Sequence, residues 1–192
     1  MTPALYASWI AIVALQRLHE LALSRRNLSR VPLDRRRPPP ESAGGYAAMV
    51  ALHVALLVLP LVEHVVLDRR PPTWMVVACV FVFAAAQVLR YWTIHTLGPS
   101  WNARGIVSPD WPVAVSGPYR WVRHPNYVAV TMEFVSLPLG GGAWISCVVL
   151  NLVHVPILVR RIRGEERELA HLPGWSEHVR PRPRFLPRSP EP

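Results

Sequence analysis

The apolar residues of this chain fall in blocks too continuous for the amphipathic helices of a soluble domain. They run from Ala4 to Leu23, Tyr46 to Val62, Trp74 to Leu89, Val128 to Leu139 and Ala143 to Val159. About 20 apolar residues carry an upright helix across a bilayer. The first three blocks therefore predict membrane helices. Arg17, His19 and Glu20 close the first and put its C-terminal end at an interface. The third ends in a polar extension with Gln87, Arg90, Tyr91, Trp92 and His95, and its Tyr and Trp suit the headgroup level. The fourth block is too short to span. With the turn Gly140–Gly142 and the fifth block it predicts a helical hairpin dipping in from one side. Ser24–Gly44, holding Pro38-Pro39-Pro40, and Leu97–Ser116 are predicted loops. The expected fold is an all-α integral membrane protein, with about three transmembrane helices, a C-terminal membrane hairpin and a cytoplasmic tail. It forms one domain over residues 1–192. Residues 1–97 are the N-terminal membrane helices, 98–175 the polar motif and hairpin, and 176–192 the tail.

Composition agrees: 51% of residues are hydrophobic, and the 21 basic residues, all arginine, outnumber 12 acidic ones. The arginines lie between the apolar blocks, which suits anionic headgroups of a bilayer and not nucleic acid. Six arginines fall in Ser24–Gly44 and eight from Arg160 onward, against two in Asp68–Thr73. Basic loops stay on the cytoplasmic side. The N-terminus is thus expected outside the inner membrane, and the first loop and the tail inside, with Ser108 and Ser189 as cytoplasmic reporters. A cleaved leader is not expected, since no basic n-region or A-x-A site precedes the first charges. Cys79 and Cys147 each sit in an apolar block and read as small buried hydrophobes, not as a disulfide or metal pair.

Two polar clusters interrupt this pattern. Gly117-Pro118-Tyr119-Arg120-Trp121-Val122-Arg123-His124-Pro125-Asn126-Tyr127 is a turn-forming clamp between apolar blocks, and Arg160-Arg161-Ile162-Arg163-Gly164-Glu165-Glu166 follows the last block. Charge at a membrane is costly, so such clusters mark a functional site. Pro125 keeps His124 out of a helix and leaves backbone groups there free for a ligand, just ahead of a helix start that suits a carboxylate. Arg161 and Glu165 are four apart and share a helix face. Glu133, inside an apolar block, is either substrate-facing or hydrogen-bonded within the hairpin. In the first case it is a substrate-binding candidate.

The clamp, with Glu165-Glu166 after the last apolar helix, resembles the isoprenylcysteine carboxyl methyltransferase and phospholipid methyltransferase superfamily of membrane enzymes. Arg17-Leu18-His19-Glu20-Leu21, Ser24-Arg25-Arg26-Asn27, Met49 through His53, Leu97-Gly98, Trp101-Asn102 and Pro138-Leu139 are similar to a bacterial branch found beside type III polyketide synthases. That branch methylates alkylpyrone-type products. The resemblance implies S-adenosylmethionine as cofactor, held by Tyr119, His124, Pro125, Asn126, Tyr127 and Glu165. It also implies that Arg161 faces the acceptor as the catalytic residue, and that no metal is used. A functional link to a polyketide synthase follows from the same branch. Ala129 stands where family members often carry glycine. The implied activity is methylation of a carboxylate or acidic hydroxyl on a lipophilic acceptor. Such an acceptor is ionised near neutral pH and needs no strong base, so no catalytic triad is required.

Two other readings compete. Membrane sterol and ene reductases, which use NADPH, also carry an H-P-N-Y element, but with Gly and an acidic residue where this chain has Ala129 and Val130. His19, His53, His95 and His154, in or near apolar blocks, would suit a haem-binding membrane protein. A structural membrane subunit would leave the clamp unexplained.

Overall fold

In the computed structural model, which describes residues 1–39 and 42–186, the described residues form an all-helical bundle. Its long helices are α1 (Pro3–Ser29), α2 (Ser42–Val66), α3 (Thr73–Leu97), α4 (Pro125–Gly140) and α5 (Trp144–Leu169). Thr2 caps α1, accepting from Leu5 N at 3.3 Å, with Pro3 in the first turn where its missing N–H costs nothing. Gly98, at φ 50°, stops α3.

α1 outruns its apolar block and takes in part of the expected Ser24–Gly44 loop. Contacts with the loop after α3 hold its last turns. Ser24 Oγ accepts from Ala103 N at 3.0 Å, and Asn27 Nδ2 donates to Trp101 O at 2.8 Å. Three helices are long and apolar enough to cross a membrane, spanning Gly44–Val66, Thr73–Ser100 and Trp144–Leu169. Their apolar side chains largely face outward, as lipid requires; Phe81 is 72% and Leu152 70% exposed. The third spanning helix is thus α5 and not α1, whose second half is polar.

The charged side chains of that polar half turn inward. Arg17 Nη2 lies 2.8 and 2.9 Å from the Glu133 carboxylate oxygens, and Arg17 Nη1 also pairs with Glu20. From α3, Arg90 donates to Glu133 from Nε at 3.0 Å and Nη2 at 2.5 Å, and Gln87 Nε2 donates at 2.7 Å. Arg90 Nη1 reaches Glu20 at 3.5 Å. Two arginines thereby neutralise two glutamates inside the bundle, the arrangement a low-dielectric interior demands. Arg90, expected at the headgroup level, is 3% exposed.

The hairpin reaches the far end of the bundle. α4 packs chiefly along α3, and α5 along α2 and α4. At the turn His64 Nδ1 donates to Gly141 O at 2.7 Å. Glu63 caps α5, accepting from Ser146 N and Oγ at 2.7 Å each. Tyr6 OH donates to Leu137 O at 3.0 Å, and a Cβ on Gly141 would overlap the Tyr6 ring. The turn therefore sits beside the start of α1 and the end of α2. The clamp and the C-terminal part of α5 lie at the opposite end. Ser108 is buried, 1% exposed, in the loop after α3; Ser189 lies outside the described residues.

Candidate active site

The clamp opens as a 3₁₀ turn, Gly117–Arg120, with Gly117 at φ 54° against Thr96. His124 sits outside the helix, and Pro125 starts α4. The backbone here is not left for a ligand. Arg123 N and His124 N donate to Pro183 O and Arg184 O at 2.9 and 3.1 Å, and Arg182 Nη1 donates to Tyr119 O. Residues 182–184 of the tail are thus strapped across the clamp. Glu166 fastens the strap: His124 Nε2 and Arg123 Nη1 each lie 3.0 Å from its Oε1, and Arg184 donates from Nε at 3.1 Å and Nη2 at 2.6 Å. The second glutamate of the Glu-Glu pair therefore ties clamp, α5 and tail together.

Glu165 faces the other way. As their spacing requires, Arg161 and Glu165 project from one face of α5 and meet Tyr127 from α4. Arg161 Nε donates to Tyr127 OH at 2.8 Å, and that hydroxyl donates to Glu165 Oε2. Arg161 Nη2 donates to Ala103 O at 2.5 Å, so the loop after α3 forms a wall of the site. Gly105, at φ 69°, passes so close that a Cβ there would lie 3.4 Å from Arg161 Nη2. Nothing in the sequence singles out Ala103 or Gly105, apart from the resemblance at neighbouring Trp101-Asn102. Burial, and then the Glu165 charge, hold the Tyr119 hydroxyl well above its ordinary pKa, so it is a neutral hydrogen-bonding group.

These side chains border a cavity of about 330 Å³. Its mouth is lined by Tyr119, His124, Asn126, Tyr127, Arg161 and Glu165. Its inner end is lined by Arg17, Glu20, His53 and Arg90, with apolar Val54 and Leu57 beside them. Asn126 Oδ1 is buried without a hydrogen-bond partner, an acceptor that a ligand would satisfy. A second cavity of about 390 Å³ lies where Tyr46 and Arg161 also border Arg104 and Arg160. Two candidates fall elsewhere. Pro125 is buried behind the wall, where it sets the helix start. Glu133 does not line the cavity; it anchors Arg17 and Arg90, which do. Among the described residues no three His, Cys, Asp or Glu side chains gather as a metal site.

A helical membrane bundle with a polar clamp over an internal cavity is the class that fold and site define. The chain belongs to the isoprenylcysteine carboxyl methyltransferase (ICMT) family, a family of methyltransferases, whose model matches residues 76–171. That match runs from α3 through the clamp to the end of α5. An uncharacterized protein of Bacillus subtilis (strain 168), YpbQ, is 29% identical over 160 residues, covering 83% of this chain and 94% of its own length. An uncharacterized protein of Haemophilus influenzae is 29% identical over 94 residues, which cover 48% of this chain and 54% of its own.

Proposed function

We propose that this membrane methyltransferase uses S-adenosylmethionine to methylate an oxygen, carboxylate or acidic hydroxyl, of a lipophilic acceptor. The observation that carries the reading is a single cavity, polar at the clamp and walled by membrane helices at its other end. The residues at the mouth fit the cofactor. Asn126 Oδ1 lacks a partner, and Glu165 accepts hydrogen bonds from amino or hydroxyl groups. When bound, that group supplies a methyl already activated on a sulfonium. What the chain contributes is position: Tyr127 links Arg161 to Glu165, and Glu166 locks the clamp over them. Arg161 is the residue assigned to the acceptor.

The acceptor's way in is from the lipid, between α1 and α2. Leu18 and Val54 both border the cavity and face outward, 63% and 54% exposed. Each buried CH₂ gains about 0.8 kcal/mol over water, so a long apolar acceptor partitions into the bilayer before it binds. Alkylpyrone-type and isoprenylcysteine-like acceptors both fit this access, and the first would link the enzyme to a polyketide synthase.

Calorimetry on detergent-purified protein is expected to show binding of S-adenosylmethionine without added metal. Binding of NADPH in its place would favour the reductase reading, and a Soret band in the purified protein the haem reading. Topology is tested separately. The clamp is assigned to the cytoplasmic face of the inner membrane, where a water-soluble cofactor is supplied. Cysteine at Asp110, an exposed residue of the loop that holds buried Ser108, is expected to label from the cytoplasmic side only. Labelling from outside intact cells would overturn that orientation.

A further inference from the structure

His53 belongs to the stripe Tyr46, Met49, Val50, His53, Val54, Leu57, the face of α2 that lines the cavity. It lies seven residues beyond Tyr46, about 10 Å deeper at 1.5 Å per residue. Its Nδ1 is 2.8 Å from Met49 O. A carbonyl oxygen only accepts, so Nδ1 carries the proton, and the neutral ring keeps its lone pair on Nε2. The ring also meets Phe134 edge to face, with centroids 5.3 Å apart, which fixes its orientation on the cavity wall. His124, the other histidine on that wall, is held at the mouth by Glu166.

The charged groups around His53 leave it a specific task. Arg17 and Glu20 from α1, Arg90 from α3 and Glu133 from α4 pair with one another. The inner end of the cavity therefore has no spare side-chain cation to hold a carboxylate. A neutral hydroxyl needs only a lone pair to accept its hydrogen, and Nε2 offers one.

We infer that His53 is the proton acceptor for an acceptor hydroxyl bound at the inner end of the cavity. The inference rests on the methyltransferase reading and narrows it. The hydroxyl gives its proton to Nε2 as its oxygen bonds the methyl carbon. The carbon–sulfur bond of the methylsulfonium donor breaks to leave a neutral thioether. One cation, the imidazolium, replaces another, and its proton passes to water once the product has left.

The test uses the full chain in detergent with S-adenosylmethionine and two long-chain phenols. One is plain, and the other is polyfluorinated and already ionised at the assay pH. His53→Ala is expected to lower kcat about 100-fold on the plain phenol, within the range for general-base catalysis, and less than about tenfold on the fluorinated one. His53→Gln keeps a polar group of similar reach and is expected to restore KM but not kcat on the plain phenol. A readout without turnover is calorimetry of the plain phenol and of its methyl ether, which has no hydrogen to donate. The phenol is expected to bind the wild type about tenfold tighter than the ether, as one buried hydrogen bond allows, and to lose that margin in His53→Ala. Equal losses on both phenols, a margin unchanged in His53→Ala, or a wild type that methylates only fatty carboxylates would overturn the assignment. Calorimetry separates the two levels: a wild type that binds no S-adenosylmethionine removes the underlying reading, whereas binding retained in His53→Ala confines any failure to the histidine.

Discussion

Replacing Glu133 by leucine is expected to leave little folded protein in detergent. Its carboxylate is 1% exposed and bonds Arg17 and Arg90, themselves 14% and 3% exposed. Removing one partner of a buried ion pair costs about 3–5 kcal/mol, because the other charge stays buried and unpaired. Here one lost carboxylate served two guanidiniums, leaving Glu20 alone to face both, and the cost approaches the roughly 5–15 kcal/mol by which domains are stable. The double variant Glu133→Leu, Arg90→Leu removes charge from both sides and leaves Arg17 paired with Glu20. Apolar replacement of a whole buried pair is often neutral, so this variant is expected to recover much of the lost stability. Thermal unfolding followed by size-exclusion chromatography reads both outcomes. A Glu133→Leu protein that melts like the wild type would show that the network is not what holds α1, α3 and α4 together.

The second large effect concerns the mouth of the cavity. Glu165→Ala is expected to weaken S-adenosylmethionine binding by about 10- to 100-fold, the loss of a charge-assisted hydrogen bond. Tyr127→Phe is expected to do the same more mildly. Arg161→Ala is expected to act chiefly on use of the acceptor. The three side chains form one hydrogen-bonded row, Arg161 to Tyr127 to Glu165, so their effects are not independent. The Tyr127→Phe, Glu165→Ala double variant is therefore expected to bind about as weakly as Glu165→Ala alone, because the hydroxyl acts through the carboxylate. Calorimetry for the cofactor and steady-state kinetics for the acceptor separate the roles. An Arg161→Ala protein that loses cofactor affinity and keeps its acceptor KM would reverse them.

Much of this was legible along the chain because it is local. A proline after His124 dictates a helix start, and a four-residue spacing places Arg161 and Glu165 on one face, whatever surrounds them. The hydrophobic blocks likewise announced membrane helices and a glycine turn. Those blocks misplaced the C-terminal end of α1 and missed the inward facing of Arg17, Glu20 and Arg90, for one reason. Hydropathy counts a charge but is blind to the direction its side chain takes. Whether an arginine seeks the headgroups or the interior depends on a carboxylate on another helix, and Glu133 lies 116 residues from Arg17.

The same distinction divides the site. Clamp, Glu-Glu pair and family were carried by the sequence itself, since residue type and spacing suffice for them. Only the tertiary structure decided that Glu165 turns to the cavity while Glu166 binds His124, Arg123 and Arg184. It also brought Ala103 O to Arg161, buried Ser108, and put His53 on a cavity wall. Adjacent residues on a helix point about 100° apart, so neighbours as alike as two glutamates acquire different partners once the helix is docked. Docking itself is set by contacts between segments far apart in the chain, and those exist only when the bundle has closed.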